Sequence, residues 1–127
     1  MAGFRLSAPA EADLDRILDW SEERFHAVGR MRYAALLVQA MQDLADDPQR
    51  EGVEWVMTSK RRVGVYHVWH SRDHGTDPAE RVRDPRHAIV FRIGGDGVVD
   101  ILGFMHDHML RDRALRRILR GTPSAPQ

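Results

Sequence analysis

Cysteine is absent from the 127-residue sequence. This absence excludes disulfide bonds, cysteine-ligated zinc and cysteine nucleophiles, and it fits the reducing cytoplasm, where we expect the protein to act. The sequence also lacks a run of about 18 apolar residues and a basic N-terminus followed by an apolar stretch, so we expect neither a membrane span nor a signal peptide. It has no phosphate-binding loop and no serine-centred nucleophile motif.

Net charge is also lacking, because 19 basic residues balance 19 acidic ones. The balance conceals an asymmetry: residues 1–59 carry 11 acidic and 6 basic residues, whereas residues 60–127 carry 8 acidic and 13 basic ones, 12 of them arginine. Arginine suits bidentate contact with carboxylates and phosphates, so the second half is a candidate surface for an acidic partner. The alternative is an arginine-rich surface that only faces solvent.

The strongest structural signal is a β-hairpin. Residues 88–93 and 98–105 are rich in β-branched and aromatic residues, and Gly94-Gly95-Asp96-Gly97 separates them. Glycine and aspartate tolerate the positive φ angles of tight turns. Apolar residues occupy both faces of each run, which predicts central strands covered on at least one side and partly on the other.

The N-terminal part predicts a short strand followed by two helices. Ser7 and Pro9 are suited to a helix start, and apolar residues then recur at helical spacing until Gly29. The period resumes after Gly29 and stops before Pro48. We therefore predict an antiparallel helical hairpin joined at Gly29, with Trp20 exposed beside its apolar stripe.

The remaining chain completes an α+β domain. We predict a linker over residues 49–60, a strand over 63–70, a mobile loop over 71–84, a short C-terminal helix over 110–120 and a disordered tail over 121–127. The fold is then an N-terminal strand and a helical hairpin packed on a twisted, mainly antiparallel four-stranded sheet, in a single domain spanning residues 1–120.

The seven histidines do not predict a metal site. His67 and His70 are three apart on a strand and point to opposite faces. His106 and His108 share a face if their strand continues, but Asp107 then lies on the other face and a third ligand is missing. We expect no metal and no cofactor.

A second kind of chemistry is metal-free phosphoryl transfer. Basic side chains on adjacent strands could converge on one end of the sheet, where a histidine could transfer a proton near neutral pH. The candidate residues are Lys60, Arg61, Arg62, Arg72, Arg92 and His106. The alternative is that these arginines pair with neighbouring carboxylates.

The order of segments resembles the ParE toxins of the RelE/ParE superfamily. The segments are LSAPAEADLDRILDWSEERFHAVG, ALLVQAMQDLADDP, a basic strand and PRHAIVFRIGGDGVVDILGFMHD, and together they cover residues 4–110. The resemblance implies a helical hairpin on an antiparallel sheet. It also implies a ParD-like antitoxin in a heterotetramer or larger assembly, so that DNA is contacted only indirectly, through the antitoxin.

The resemblance leaves two targets open, because ParE-type members inhibit DNA gyrase by binding and RelE-type members cleave mRNA in the ribosome. The long hairpin, the lack of net basic charge and the loose match to RelE-type catalytic residues favour the ParE type. After the last strand, members of this family usually end in a short run that resembles MDLARHL, and residues 109–115 depart from it. An inactive module that retains only antitoxin contact is the second alternative. We predict target contacts at Arg92, Phe104, His106 and Arg111, and antitoxin contacts at Trp20, Arg24 and Tyr33.

Overall fold

The computed structural model describes residues 3–59, 61–74 and 77–122. The elements in chain order are β1 (Phe4–Leu6), α1 (Ala8–Asp46), β2 (Val53–Met57), β3 (Arg62–His67), β4 (His87–Ile93), β5 (Val99–His106) and α2 (Arg111–Arg120), with short 3-10 turns at Val68–Ser71 and Pro78–Glu80. The α+β class is confirmed. Within the described ranges, no helix combines the length and apolar character needed to cross a bilayer.

The sheet has five strands in the order β1-β5-β4-β3-β2, so the prediction of four strands is wrong. The additional strand is β2, which the sequence suggested to be a linker. Val53 and Trp55 pack against one core and Val56 against the other, as the two-residue period of a strand requires. Strand β1 pairs in parallel with β5, and the other neighbours are antiparallel, so the sheet is mainly antiparallel as predicted.

Helix α1 consists of two helical arms joined at His26, whose φ of 64° and ψ of −169° are not helical, and the chain reverses there. Arg30 lies 2.9 Å from Asp19, although residues eleven apart in a straight helix are separated by about 16 Å along its axis. The predicted junction at Gly29 is therefore wrong. Gly29 is needed for another reason: a Cβ there would overlap the side chain of Phe25.

The two ends of α1 follow the predicted local signals. The Ser7 hydroxyl accepts a hydrogen bond from the Ala10 amide at 3.1 Å, and Pro9 lies in the first turn, where its missing amide proton costs nothing. The helix ends at Asp46, two residues before Pro48, as expected from the steric effect of proline on the preceding residue.

Two apolar cores lie on opposite faces of the sheet. Helix α1 covers one face, where Leu37 and Phe91 are fully buried. Helix α2 covers part of the other face, where Leu115 and Ile118 pack on Leu102. The sheet is thus buried on both sides, which explains why β4 and β5 lack strict polar alternation.

A β-bulge in β5 changes which residues face each other. Val90 pairs with Gly103, whereas Phe91 pairs with Ile101, so Leu102 has no partner of its own. A bulge of this kind shifts all residues beyond it by one position. Beside the bulge, the Phe104 amide donates to the buried Asp13 carboxylate at 3.1 Å, which ties α1 to β5.

The segment from His67 to Asp84 differs from its prediction. Strand β3 ends at His67, whose Nδ1 accepts the Trp69 amide at 3.1 Å and so begins a 3-10 turn. Ser71, predicted to start a mobile loop, is buried and donates to Asp43 at 2.5 Å.

In the predicted C-terminal tail, Thr122 is buried and donates to the Ile118 carbonyl at 2.8 Å. Residues 123–127 of that tail lie outside the described ranges.

Candidate functional site

Four rings meet at one corner of the domain, which we call the Trp20 corner: Trp20, Tyr33, His87 and His106. The His87 and His106 rings are 5.1 Å apart because these residues are paired in β4 and β5. The Trp20 ring contacts His87 at 5.3 Å, Tyr33 at 5.9 Å and His106 at 6.0 Å, in each case edge to face. Edge-to-face contacts between aromatic rings contribute stability in addition to that from burying their area, so these contacts stabilise the corner.

Two of the predicted antitoxin contacts have a different environment from the one expected. Trp20 was predicted to be exposed, but it is half-buried and packs against the α1 core. Tyr33 was assigned to the outer edge of the helical hairpin, but it is only 2% exposed. Arg24 is exposed, and its guanidinium lies 5.3 Å from the centre of the Trp20 ring, a distance typical of a cation–π contact.

Tyr33 connects the corner to the backbone. Its hydroxyl accepts the Arg86 amide at 2.9 Å and lies 2.6 Å from His87 Nδ1. Burial raises the pKa of Tyr33 to about 12, so the hydroxyl stays protonated and donates a hydrogen bond to His87. Burial also lowers the pKa of His87 to about 4, with a further lowering by nearby His106. His87 is therefore neutral at physiological pH, with Nδ1 as an acceptor.

His106 lines an open cleft of about 590 Å³ together with Trp20 and His87. Burial lowers its pKa; His108, Arg86 and Arg24 lower it further, and Asp107 opposes them. A neutral imidazole of this kind can accept a proton from a bound group. The cleft is lined by Asp13, Arg16, Ile17, Trp20, His87, Phe104, His106, Met109 and Arg117.

The turn after β5 brings three potential metal ligands together. Donor atoms of His106, Asp107 and His108 all lie within 4.8 Å of one another. The sequence placed Asp107 on the opposite face from the two histidines, but that expectation required the strand to continue, and β5 ends at His106. The backbone turns instead, since the Met109 amide donates to the His106 carbonyl at 3.0 Å.

The predicted target contacts do not form one exposed surface. Phe104 is a core residue with 2% exposure. Arg92 lies 3.2 Å from Asp100 at the end of the sheet opposite His106. Arg111 belongs to α2 and lies 2.8 Å from Glu54 of β2. Of the four predicted residues, only His106 lines the corner with an accessible ring, because strand register and helix packing separate the others.

The predicted catalytic arginines are likewise divided between the two ends of the sheet. Arg62 stacks on Trp55 at 4.3 Å, near the end where Arg92 lies. Arg72 stacks on Trp69 at 3.5 Å beyond the opposite end, which is the end of His106. Arg61 donates its amide to Thr58 in the turn that leads to β3. Lys60 lies outside the described residues.

Three members of the site were not predicted from the sequence: His87, Arg16 and Arg117. His87 lies one residue before the predicted strand, which began at Ala88, and it is the first residue of β4. Arg16 and Arg117 come from the two helices on opposite faces of the sheet and meet near the Asp13 carboxylate. Only the helical spacing of Asp13 and Arg16, three residues apart, was a local signal for part of this group.

Comparison with known proteins shows the family of this chain. A family model described as ParE toxin of type II toxin-antitoxin system, parDE, matches residues 4–111, which is most of the chain. The match includes both strands and both arms of α1 that form the Trp20 corner. A search of curated proteins found no match.

Proposed function

We propose, on the premise that this chain belongs to the ParE toxins of type II toxin-antitoxin systems, that it inhibits DNA gyrase by binding, without catalysis. A ParD-like antitoxin neutralises it in this proposal. The family itself implies an antitoxin partner; the identity of that antitoxin and the gyrase target are the proposed part.

The separation of the basic side chains supports binding over catalysis. Phosphoryl transfer needs charged groups and a proton acceptor within a few ångströms of one phosphate. Arg62 and Arg92 lie toward one end of the sheet and Arg72 and His106 toward the other, and Arg92 is paired with Asp100. Such a distribution suits contact with a partner surface better than assembly around a phosphate.

The Trp20 corner is the proposed contact surface. Half-buried tryptophan beside an exposed arginine is typical of binding hot spots, because the pair combines a large rigid apolar area with directed charge. Residues predicted separately for antitoxin and target, Trp20 and His106, have their rings 6.0 Å apart. The proximity favours a mechanism in which the antitoxin covers the surface that the target would use.

A ribosome-dependent mRNA endonuclease is the alternative, and one observation favours it. His106 faces a cleft that also contains Arg16 and Arg117, and its lowered pKa keeps it neutral near pH 7. A neutral imidazole beside two guanidinium groups could act on a phosphodiester once those groups turn from the Asp13 carboxylate that they contact. Codon-phased cleavage of cellular mRNA after brief expression would support this alternative.

The deciding experiment is gyrase supercoiling with purified protein, with and without its antitoxin. We expect inhibition that the antitoxin reverses, and weaker inhibition by Arg24→Ala and His106→Ala. Arg116→Ala, an exposed change on α2, is the matched control and should inhibit like the wild type. Absence of inhibition by a folded protein at large molar excess would refute the gyrase proposal.

A further inference from the structure

We propose that His106, Asp107 and His108 form a binding site for Zn²⁺ or a similar divalent transition metal. The proposal does not depend on the proposed function. Imidazole nitrogen and carboxylate oxygen are ordinary zinc ligands, with bonds of about 2.0 to 2.2 Å, so two ligands of a tetrahedral ion are about 3.4 Å apart. Here Asp107 Oδ1 is 3.5 Å from His106 Nδ1 and 3.9 Å from His108 Nε2.

The turn prepares these donors for a common ion. The His106 and His108 rings stack with centroids 5.0 Å apart. The Asp107 amide donates to the Arg86 carbonyl at 2.8 Å, and the Met109 amide donates to the His106 carbonyl. Both backbone hydrogen bonds hold the turn in place. Rotation of the side chains alone can therefore bring the donor atoms around an ion, and the backbone does not refold.

The two oxygens of Asp107 have separate neighbours. Oδ1 faces the two imidazoles of the proposed site, whereas Oδ2 lies 3.5 Å from His67 Nε2 and 3.8 Å from Arg86 Nη1. His67 accepts the Trp69 amide at Nδ1, so its neutral ring carries the proton at Nε2 and cannot offer that atom to a metal. It can instead hold Oδ2 and leave Oδ1 for the ion, as residues around metal ligands commonly do.

Binding requires one exchange. His106 Nδ1 accepts the His108 amide at 3.1 Å, and this hydrogen bond is replaced by the metal bond. His108 is the adjustable ligand, because its side chain is 74% exposed. Three protein ligands leave one or two positions for water or for a group of another molecule, as in open zinc sites.

The experiment is calorimetric titration of the full chain with Zn²⁺ after chelator treatment, followed by Co²⁺ absorption to report ligand geometry. We expect one ion per chain and a loss of affinity of at least about tenfold in both His108→Ala and Asp107→Asn. His67→Gln should weaken binding while leaving the Co²⁺ spectrum unchanged, because His67 positions Asp107 without touching the ion.

His26→Gly is the matched control, since it removes an exposed imidazole elsewhere and glycine adopts φ 64° and ψ −169° without steric cost. Circular dichroism of each variant verifies folding, and His108 is exposed enough that its removal leaves the core intact. Failure of the wild type to bind Zn²⁺ would overturn the proposal. Equal affinities of the wild type and His108→Ala would also overturn it, because the bound ion would then belong to another histidine.

Discussion

His87 should make the stability of this protein sensitive to mild acid. The residue is 5% exposed, and burial lowers its pKa from an ordinary 6.5 to about 4. Between these two values the unfolded chain binds a proton at this residue and the folded chain does not. The unfolding free energy therefore falls as pH decreases through this window.

The size of the effect follows from the shift. Each pKa unit corresponds to about 1.4 kcal/mol, so complete titration of His87 removes ~3 kcal/mol of stability, most of it by about pH 4.5. Protonation also turns Nδ1 from an acceptor into a donor that faces the Tyr33 hydroxyl at 2.6 Å. That hydroxyl already accepts a hydrogen bond from the Arg86 amide, so its own proton must turn away from His87.

The assay is urea unfolding followed by tryptophan fluorescence at several pH values from 7.5 to 4.5, in the presence of a chelator. His87→Asn is the matched variant, because its amide oxygen can accept the Tyr33 proton but does not titrate. As pH falls, we expect the wild type to lose ~2 kcal/mol or more of unfolding free energy relative to the variant. A difference that stays constant over this range would refute the buried neutral state of His87.

Three further changes test the packing of the domain. Leu37→Ala, at a fully buried position, should cost about 2 to 5 kcal/mol in urea unfolding, and a cost below about 1 kcal/mol would contradict the assigned α1 core. Gly64→Ala should lower the melting temperature, since the added Cβ would overlap the ring of Phe91; an unchanged melting temperature would mean that the ring can move aside. Asp43→Ala should destabilise the protein by about 3 kcal/mol, because the carboxylate accepts a hydrogen bond from Ser71 at 2.5 Å and pairs with Arg50 at 3.1 Å. Asp46→Ala, at an exposed position, is the neutral control. An equal effect of both changes would argue against the contacts of Asp43 with Ser71 and Arg50.

Local chemistry in the sequence determined much of the fold. The Ser7 cap, the helical periods and Pro48 predicted where helical structure begins and ends, and the glycine-rich turn at 94–97 predicted the β4–β5 hairpin. These features depend on residues a few positions apart, so the sequence contains the interacting partners side by side. Edge strand β2 was missed because its short apolar run includes Glu54, and pairing with β3 is what makes it a strand.

The Trp20 corner was decided by the tertiary structure. Ile93 pairs with Val99, and counting back from that pair without a bulge would place His87 opposite Met105. The bulge at Leu102 shifts the register by one residue and places His87 opposite His106. The reversal at His26 then brings the two arms of α1, with Trp20 and Tyr33, over the same pair of rings.

The sequence by itself determined the class of fold, the family and the residue types available for binding. Which of those residues meet depends on one bulge, one helix reversal and the turn after β5. The bulge and the reversal each convert a local deviation into a new set of long-range neighbours. The turn acts on consecutive residues: the donor atoms of His106, Asp107 and His108 come together only because the strand ends at His106.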